Sequence, residues 1–224
     1  MGYVGLHETL VLLTGKGMNE SEEVHELGQQ IVQKLKDATD KWKKETGYGY
    51  GLYATPAESL CYRFARLDKE VYGEIAGVNT MDYYTNSHHV DVTAKVTPFE
   101  KIDLEKVFPP IASGGNISYV EFPNVKNNLK GLEGVWDYMI NTGAHYFGTN
   151  TPSDTCFECK FEGEMTPKSD HFECPECGNS DGTRMNAIRR TCGYLGTASK
   201  IAFNHGKQQE MTVRYKHFKA NGQI

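Results

Sequence analysis

The residues of this 224-residue chain best placed to do chemistry are its cysteines, six in all. Cys156-Phe-Glu-Cys159 and Cys174-Pro-Glu-Cys177 form two C-x-x-C pairs separated by 14 residues. Four thiolates at this spacing can surround one tetrahedral ion, each pair arriving on a tight turn. Gly178 follows the second pair, where a knuckle turn favours glycine. The filler is polar (Lys160, Glu162, Glu164, Lys168, Ser169, Asp170), so the segment has little core of its own and a metal would supply its folding energy. The alternative is two disulfides, which belong to secreted chains, and nothing here suggests secretion. Four cysteines close the coordination shell, so the expected ion is a structural rather than a catalytic zinc.

Other residues invite chemistry less strongly. Cys61 lies beside a helical stripe of Leu60, Phe64, Leu67 and Val71 and reads as a small buried hydrophobe. His88-His89 on a strand would face opposite sides, so the two cannot easily share one metal and read as ordinary hydrogen-bonded histidines. Gly15-Lys16-Gly17 lacks the spacing of a phosphate loop. Gly114-Gly115-Asn116 reads as a turn before a strand rather than a phosphate cradle.

Helix–strand alternation positions these residues and points to an α/β body. Residues 1–14 are apolar and read as a strand or buried turn. Residues 19–44 form an amphipathic helix, with Val24, Leu27, Ile31, Leu35, Ala38 and Trp42 at helical spacing and Asn19 or Ser21 as cap. Tyr48–Ala54 reads as a short strand. A helix follows over 56–72, with Thr55 as cap, Pro56 in its first position and Glu58 closing a capping box. Strands are expected at Tyr83–Thr85, Val90–Val96, Ile117–Phe122 and Ala144–Gly148, helices at Leu129–Ile140 and roughly 206–218. Composition shifts at Thr151-Pro152-Ser153, a plausible domain edge.

The balance of 24 Lys+Arg against 29 Asp+Glu, a net charge of -5, argues against a general nucleic-acid binder. A hydrophobic content of 38% suffices for a packed core. No run approaches the ~18 apolar residues of a membrane span, and the start lacks the basic region of a secretory signal.

Gly193, in Arg189-Arg190-Thr191-Cys192-Gly193-Tyr194-Leu195-Gly196, would alone read as a turn glycine. Its setting, 16 residues after Cys177, changes that reading. Three further segments belong to the same pattern: Ala54-Thr55-Pro56-Ala57-Glu58, Tyr84-Thr85-Asn86-Ser87-His88-His89-Val90 and His205-Gly206-Lys207-Gln208. Together they resemble the end of the anaerobic (class III) ribonucleoside-triphosphate reductases, which are glycyl radical enzymes. Their tails carry two C-x-x-C pairs and then an R-x-C-G-Y-L-G loop whose glycine stores the radical. The resemblance covers nearly the whole chain.

The resemblance implies that Gly193 is the radical site, installed by an activating enzyme that uses an iron–sulfur cluster and S-adenosylmethionine. It implies that Cys156, Cys159, Cys174 and Cys177 hold Zn2+. Residues 1–150 would be the C-terminal part of a ten-stranded α/β barrel, 151–184 a zinc ribbon, and 185–224 the radical loop and tail. In the family the glycyl radical oxidises a cysteine inside the barrel. The resulting thiyl radical takes a hydrogen from the ribose C3′ of a ribonucleoside triphosphate, the 2′-hydroxyl leaves as water, and formate or a small thiol protein supplies the electrons. Family members run to roughly three times this length, beyond a usual single domain. With Cys61 in a helix and Cys192 packed in the loop, no cysteine is left for the thiyl role. The chain is therefore expected to be the C-terminal third of such an enzyme, inactive alone, or a split-gene product completed by an N-terminal chain.

That reading predicts an exposed strand edge and a large apolar face. A homodimer in an anaerobic cytoplasm, without membrane or nucleic acid, is the implied setting. The alternatives are a spare-part subunit bearing a fresh radical loop, for which the chain is long, and a non-catalytic zinc-ribbon binding module. The ribbon's acidic residues (Glu158, Glu162, Glu164, Asp170, Glu173, Glu176) weigh against a nucleic-acid partner.

Overall fold

The computed structural model describes residues 1–168, 170–191, 194–197 and 203–218. The chain begins with strand β1 (Gly2–Tyr3) and then helix α1 (Leu6–Thr14), where an apolar strand or buried turn was expected. A short apolar run does not separate helix from strand by periodicity. Here Leu6 and Leu10 are one turn apart and face the core, while Leu12 and Leu13 are exposed. Helix α2 (Glu22–Thr46) follows Ser21 and ends at Gly47, close to the expected bounds. Its stripe is trimmed at the end, since Trp42 is half-exposed against Tyr50. The expected strand over 48–54 shrinks to β2 (Tyr53–Ala54), which pairs in parallel with β1. Leu6, Leu10, Val24, Val32, Leu52 and Phe108 form the first core.

Helix α3 (Glu58–Tyr72) starts later than its capping signals promised. Ala57 is its N-cap, and Thr55 donates its hydroxyl to the Tyr53 carbonyl. The Ala57 N–H is taken by the Asn86 side chain at 2.7 Å, so a tertiary contact fixes the helix start. The buried residues of α3 are Cys61 and Ala65, whereas Leu60, Phe64 and Val71 of the expected stripe are exposed.

No strand forms at 83–85 or 90–96. The backbone there is satisfied without a ladder. The Thr85 N–H donates to Glu8, the Thr85 and Ser87 carbonyls accept from Gly5 and Leu6, and the Val90 N–H donates to Glu105. Helix α4 (Pro98–Glu105) supplies that glutamate, and a complete capping box between Thr97 and Glu100 with Pro98 in the first turn explains its start.

Strand β3 (Ser118–Glu121), helix α5 (Leu129–Asn141) and strand β4 (Phe147–Asn150) fall where expected to within a few residues, and β3 and β4 pair in parallel. They enclose a second core of Ile102, Val120, Phe122, Val135, Met139 and Phe218. Gly115 (φ 78°) makes the turn beneath β2, and a Cβ there would strike the Ala54 carbonyl, so this glycine is structural.

Small antiparallel strands build the next unit: β5 (Asp154–Cys156), β6 (Glu162–Gly163), β7 (Thr166–Pro167), β8 (Phe172–Glu173) and, after a 3-10 turn, β9 (Met185–Asn186). A hairpin of β10 (Ile188–Thr191) and β11 (Tyr194–Thr197) comes next, then helix α6 (His205–Val213). This last helix is shorter than the expected 206–218. Residues 215 and 217 leave it to donate backbone hydrogen bonds to the Val92 and Glu121 carbonyls.

The described residues are thus a mixed α/β chain with five small sheets, two of them isolated parallel pairs. Parallel strands are ordinarily covered on both faces. Exposed apolar side chains flank them, including Tyr53 beside β1 and Trp136 and Ile140 on α5. No helix among the described residues is long and apolar enough to cross a membrane. Phe108 is fully buried in the first core, so Phe108→Ala should destabilise the chain by about 3–5 kcal/mol in urea unfolding, with no change in slope.

Candidate metal centre and the hairpin beside it

The two cysteine pairs come from different strands. Cys156 ends β5, and the turn that follows it closes with the Lys160 N–H donating to the Cys156 carbonyl, Lys160 adopting a left-handed φ of 64°. Cys174 follows β8, and Gly178 (φ 71°) donates its N–H to the Cys174 carbonyl. Both turns fold their second thiol back over the first. The four Sγ atoms lie within 4.8 Å of one another, with Cys156–Cys177 at 3.7 Å and Cys159–Cys174 at 3.6 Å. All four thiols are free, so the disulfide alternative is not what the fold contains.

A tetrahedron of sulfurs each ~2.3 Å from a zinc ion has edges of about 3.8 Å, close to these separations. The donor set therefore fits a structural zinc. Cys156 and Cys174 are buried in a small core with Met165, Phe172, Met185 and Ala187, while Cys159 and Cys177 face outward. The backbone N–H of Cys159, helped by Asn179, holds the Cys156 thiol down to about 6, while burial and the neighbouring sulfurs push Cys159 up and Cys177 up to about 12, so without a metal one thiolate is favoured in the cluster and its neighbours keep their protons.

Strand β10 lies between this unit and the body. Thr191 sits opposite Tyr194 in the hairpin, and the two residues between them, Cys192 and Gly193, lie outside the described residues. Adjacent side chains of β10 point to opposite faces. Arg189 faces the cysteine unit, gripping the buried Asp154 carboxylate with both terminal nitrogens (2.6 and 2.7 Å) and lying 4.9 Å over the Phe172 ring. Arg190 faces the body, 4.9 Å over Tyr119. Its carbonyl accepts from Arg214, which also pairs with Glu121 of β3 (3.2 Å) and Glu210 of α6 (2.5 Å).

Beneath the hairpin is a polar cleft of about 50 Å³, lined among others by Tyr83, His89, Lys101, Thr191, Arg214 and His217. Sequence reasoning missed it, because its charges come from segments without periodicity. The Thr97-Pro98-Phe99-Glu100 cap was the available signal for α4, which carries Lys101 and Glu105. Glu105 is fully buried. Burial pushes its carboxyl up, but Lys101 and then His89 outweigh that and hold it well below the usual range.

The two adjacent histidines lie on no strand, and their rings come within 5.3 Å of each other rather than facing opposite sides, yet they take separate partners as ordinary hydrogen-bonded residues do. His88 bonds the Tyr3 hydroxyl at 2.7 Å and stacks on Phe108, whereas His89 meets Glu105 at 3.3 Å. Cys61 is a buried thiol against Asn86, as expected.

The three segments that carried the resemblance also meet. Asn86 holds the start of α3 through Ala57, and α6 joins the same region through a His205–Asp82 pair (2.8 Å) and a hydrogen bond from the Asp82 N–H to Gln209.

With this geometry in view, the chain can be compared with known proteins. The family model described as anaerobic ribonucleoside-triphosphate reductase matches residues 1–217. The chain belongs to that family. It is 51% identical over 225 residues to the anaerobic ribonucleoside-triphosphate reductase of Salmonella typhimurium, covering all of this chain and 31% of that protein. It is 48% identical over 217 residues to the enzyme of that name from Enterobacteria phage T4, covering 97% of this chain and 34% of that one. The chain thus spans about a third of the length of the curated relatives it matches.

Among solved structures, an anaerobic ribonucleotide reductase superposes with a TM-score of 0.75 at 20% identity, over 96% of this chain and 33% of that one. The anaerobic ribonucleotide reductase from Thermotoga maritima with MES in its active site gives 0.66 at 20% identity, over 87% and 31%. At that identity the likeness is one of fold.

Burial holds His88 and His217 neutral, pushing each down to about 3 from 6.5. An unfolded chain takes up both protons near pH 6.5, so the stability that depends on their neutrality is complete above that pH and is lost as pH falls toward about 3. Urea midpoints measured from pH 7 to 4 should therefore decline, and His217→Gln should flatten the dependence by about one proton.

Proposed function

We propose that this chain is the radical-bearing C-terminal portion of an enzyme that reduces ribonucleoside triphosphates to deoxyribonucleoside triphosphates without oxygen. Gly193 stores the radical, and Cys156, Cys159, Cys174 and Cys177 hold a structural zinc. Residues 1–150 contribute to the catalytic barrel, 151–184 are the zinc ribbon, and 185–224 are the radical loop and tail. The observation that carries this reading is the hairpin that brackets Gly193, braced by Arg189 against the four-thiol unit and by Arg214 against the body.

The chemistry requires a glycine at the radical position. A Cα radical is stabilised when planar and delocalised over both flanking amides, and a side chain would twist it and obstruct hydrogen abstraction. An activating enzyme with an iron–sulfur cluster and S-adenosylmethionine removes that hydrogen. Zinc bound by the four thiolates supplies folding energy to the ribbon and, with its shell closed, no Lewis acidity. The braces hold strand β10 between the cysteine unit and the body, and a thiyl cysteine and the nucleotide site would come from the remaining length seen in relatives. The isolated parallel pairs and exposed apolar side chains of residues 1–150 support that completion, in cis or by a second chain. A homodimer in the cytoplasm of an anaerobic cell or phage-infected host is the proposed setting.

Anaerobic electron paramagnetic resonance after treatment with the activating enzyme should show a doublet that is absent in Gly193→Ala; a doublet surviving that change would move the radical elsewhere. Metal analysis should find about one zinc per chain, lost in Cys174→Ser together with the fold of the ribbon.

A further inference from the structure

We infer that Arg189 is the positioning residue through which the four-cysteine unit holds the radical hairpin in place. The inference rests on the reading of the four thiols as a zinc site, and goes beyond it by naming the link. Arg189 touches the strand that leads into each cysteine pair, at equivalent places. Asp154 of β5 precedes Cys156 by two residues, and Phe172 of β8 precedes Cys174 by two residues. The Asp154 carboxylate is bound at both oxygens by the guanidinium, and Phe172 offers its ring face. The Asp154 oxygen Oδ2 also accepts the Met165 N–H at 2.8 Å, which fixes the carboxylate inside the unit.

The socket for Arg189 therefore has two walls, one from each cysteine pair. Few apolar side chains join those walls: Met165, Phe172, Met185 and Ala187 are the buried ones other than the cysteines themselves. No disulfide joins the four thiols. The walls are tied through the Asp154–Met165 hydrogen bond and the β7–β8 pairing, and a metal shared by the two pairs would tighten that spacing further. Without it the carboxylate and the ring would be held less closely, and β10 would lose part of its anchor on that face. The opposite face behaves differently. Arg190 and its carbonyl are held by Tyr119 and Arg214, which belong to the body and do not depend on the cysteines.

This predicts a thermodynamic cycle. Hydrogen exchange is measured on the full chain over peptides spanning 188–197, zinc-loaded and zinc-stripped, in wild type, Arg189→Gln and Arg190→Gln. Zinc-loaded Arg189→Gln should retain its zinc yet exchange about tenfold faster in the hairpin, matching stripped wild type. Stripping zinc from Arg189→Gln should then add less than about twofold, while in Arg190→Gln the two effects should multiply.

The double variant Asp154→Asn/Arg189→Gln removes the charged fork without stranding a buried carboxylate, and it gives the same reading should the single variant fail to fold. Wild-type exchange in either zinc-loaded Arg189 variant, or multiplying effects, would overturn the inference. So would loss of zinc from both variants, because Arg189 would then support the metal site rather than report from it. Failure of wild type to bind zinc overturns the metal reading itself and is seen separately by metal analysis. None of these readouts requires a radical at Gly193.

Discussion

Arg214 stands where three pieces of the chain meet, and the arrangement of the site follows from its burial. A guanidinium removed from water must find acceptors of matching geometry or destabilise the fold by several kcal/mol. Here Glu121 comes from β3, Glu210 from α6 and a carbonyl from β10, so satisfying one cation fixes strand, helix and hairpin relative to each other. The attraction of both carboxylates outweighs burial and keeps the guanidinium charged. Loss of Arg214 would leave the buried Glu210 carboxylate without its cation and Glu121 with only the Asn150 amide, a larger penalty than the loss of its packing alone. The neighbouring Lys101–Glu105–His89 group repeats the pattern and ties α4 to the segment before it.

The sequence announced those parts of the fold whose information is local. The long period of α2, the apolar face of α5 and the doubled C-x-x-C spacing each specify their own structure, and each is found within a few residues of its expected place. Failures occurred where distant residues decide. Residues 83–96 have the apolar content of strands, yet Glu8 and Glu105 satisfy their amides, and neither partner can be inferred from neighbours in the chain. The start of α3 was misplaced because Asn86, almost thirty positions away, captures the Ala57 N–H. The polar cleft was invisible for the same reason: its lining is drawn from loops, α4, β3, α6 and the tail. The role proposed for Gly193 rests on resemblance alone, since a glycine has no side-chain chemistry to display in a sequence.

The first 150 residues have the character of a surface meant to be covered. Among the described residues two parallel pairs stand apart from any larger sheet, and Leu60, Phe64 and Val71 of the α3 apolar stripe are exposed. The stripe was a correct reading of amphipathicity. Cys61 and Ala65 on the adjoining face do the packing instead.

The cysteine unit leaves and rejoins the body at neighbouring points. Strand β5 on the way out pairs with β9 on the way back, Thr155 opposite Asn186 and Cys156 opposite Met185. The unit is thus an excursion closed at its own base, touching the rest of the chain through Arg189 on β10, Met211 of α6 and the Lys216–Glu164 and Lys126–Glu162 pairs. Closing such a loop costs an entropy that grows only slowly with its length, so the body gains little by dictating what lies inside it. Two cooperative units are the consequence expected of that topology, one resting on its four thiols and small core and the other on the two apolar cores, within one chain.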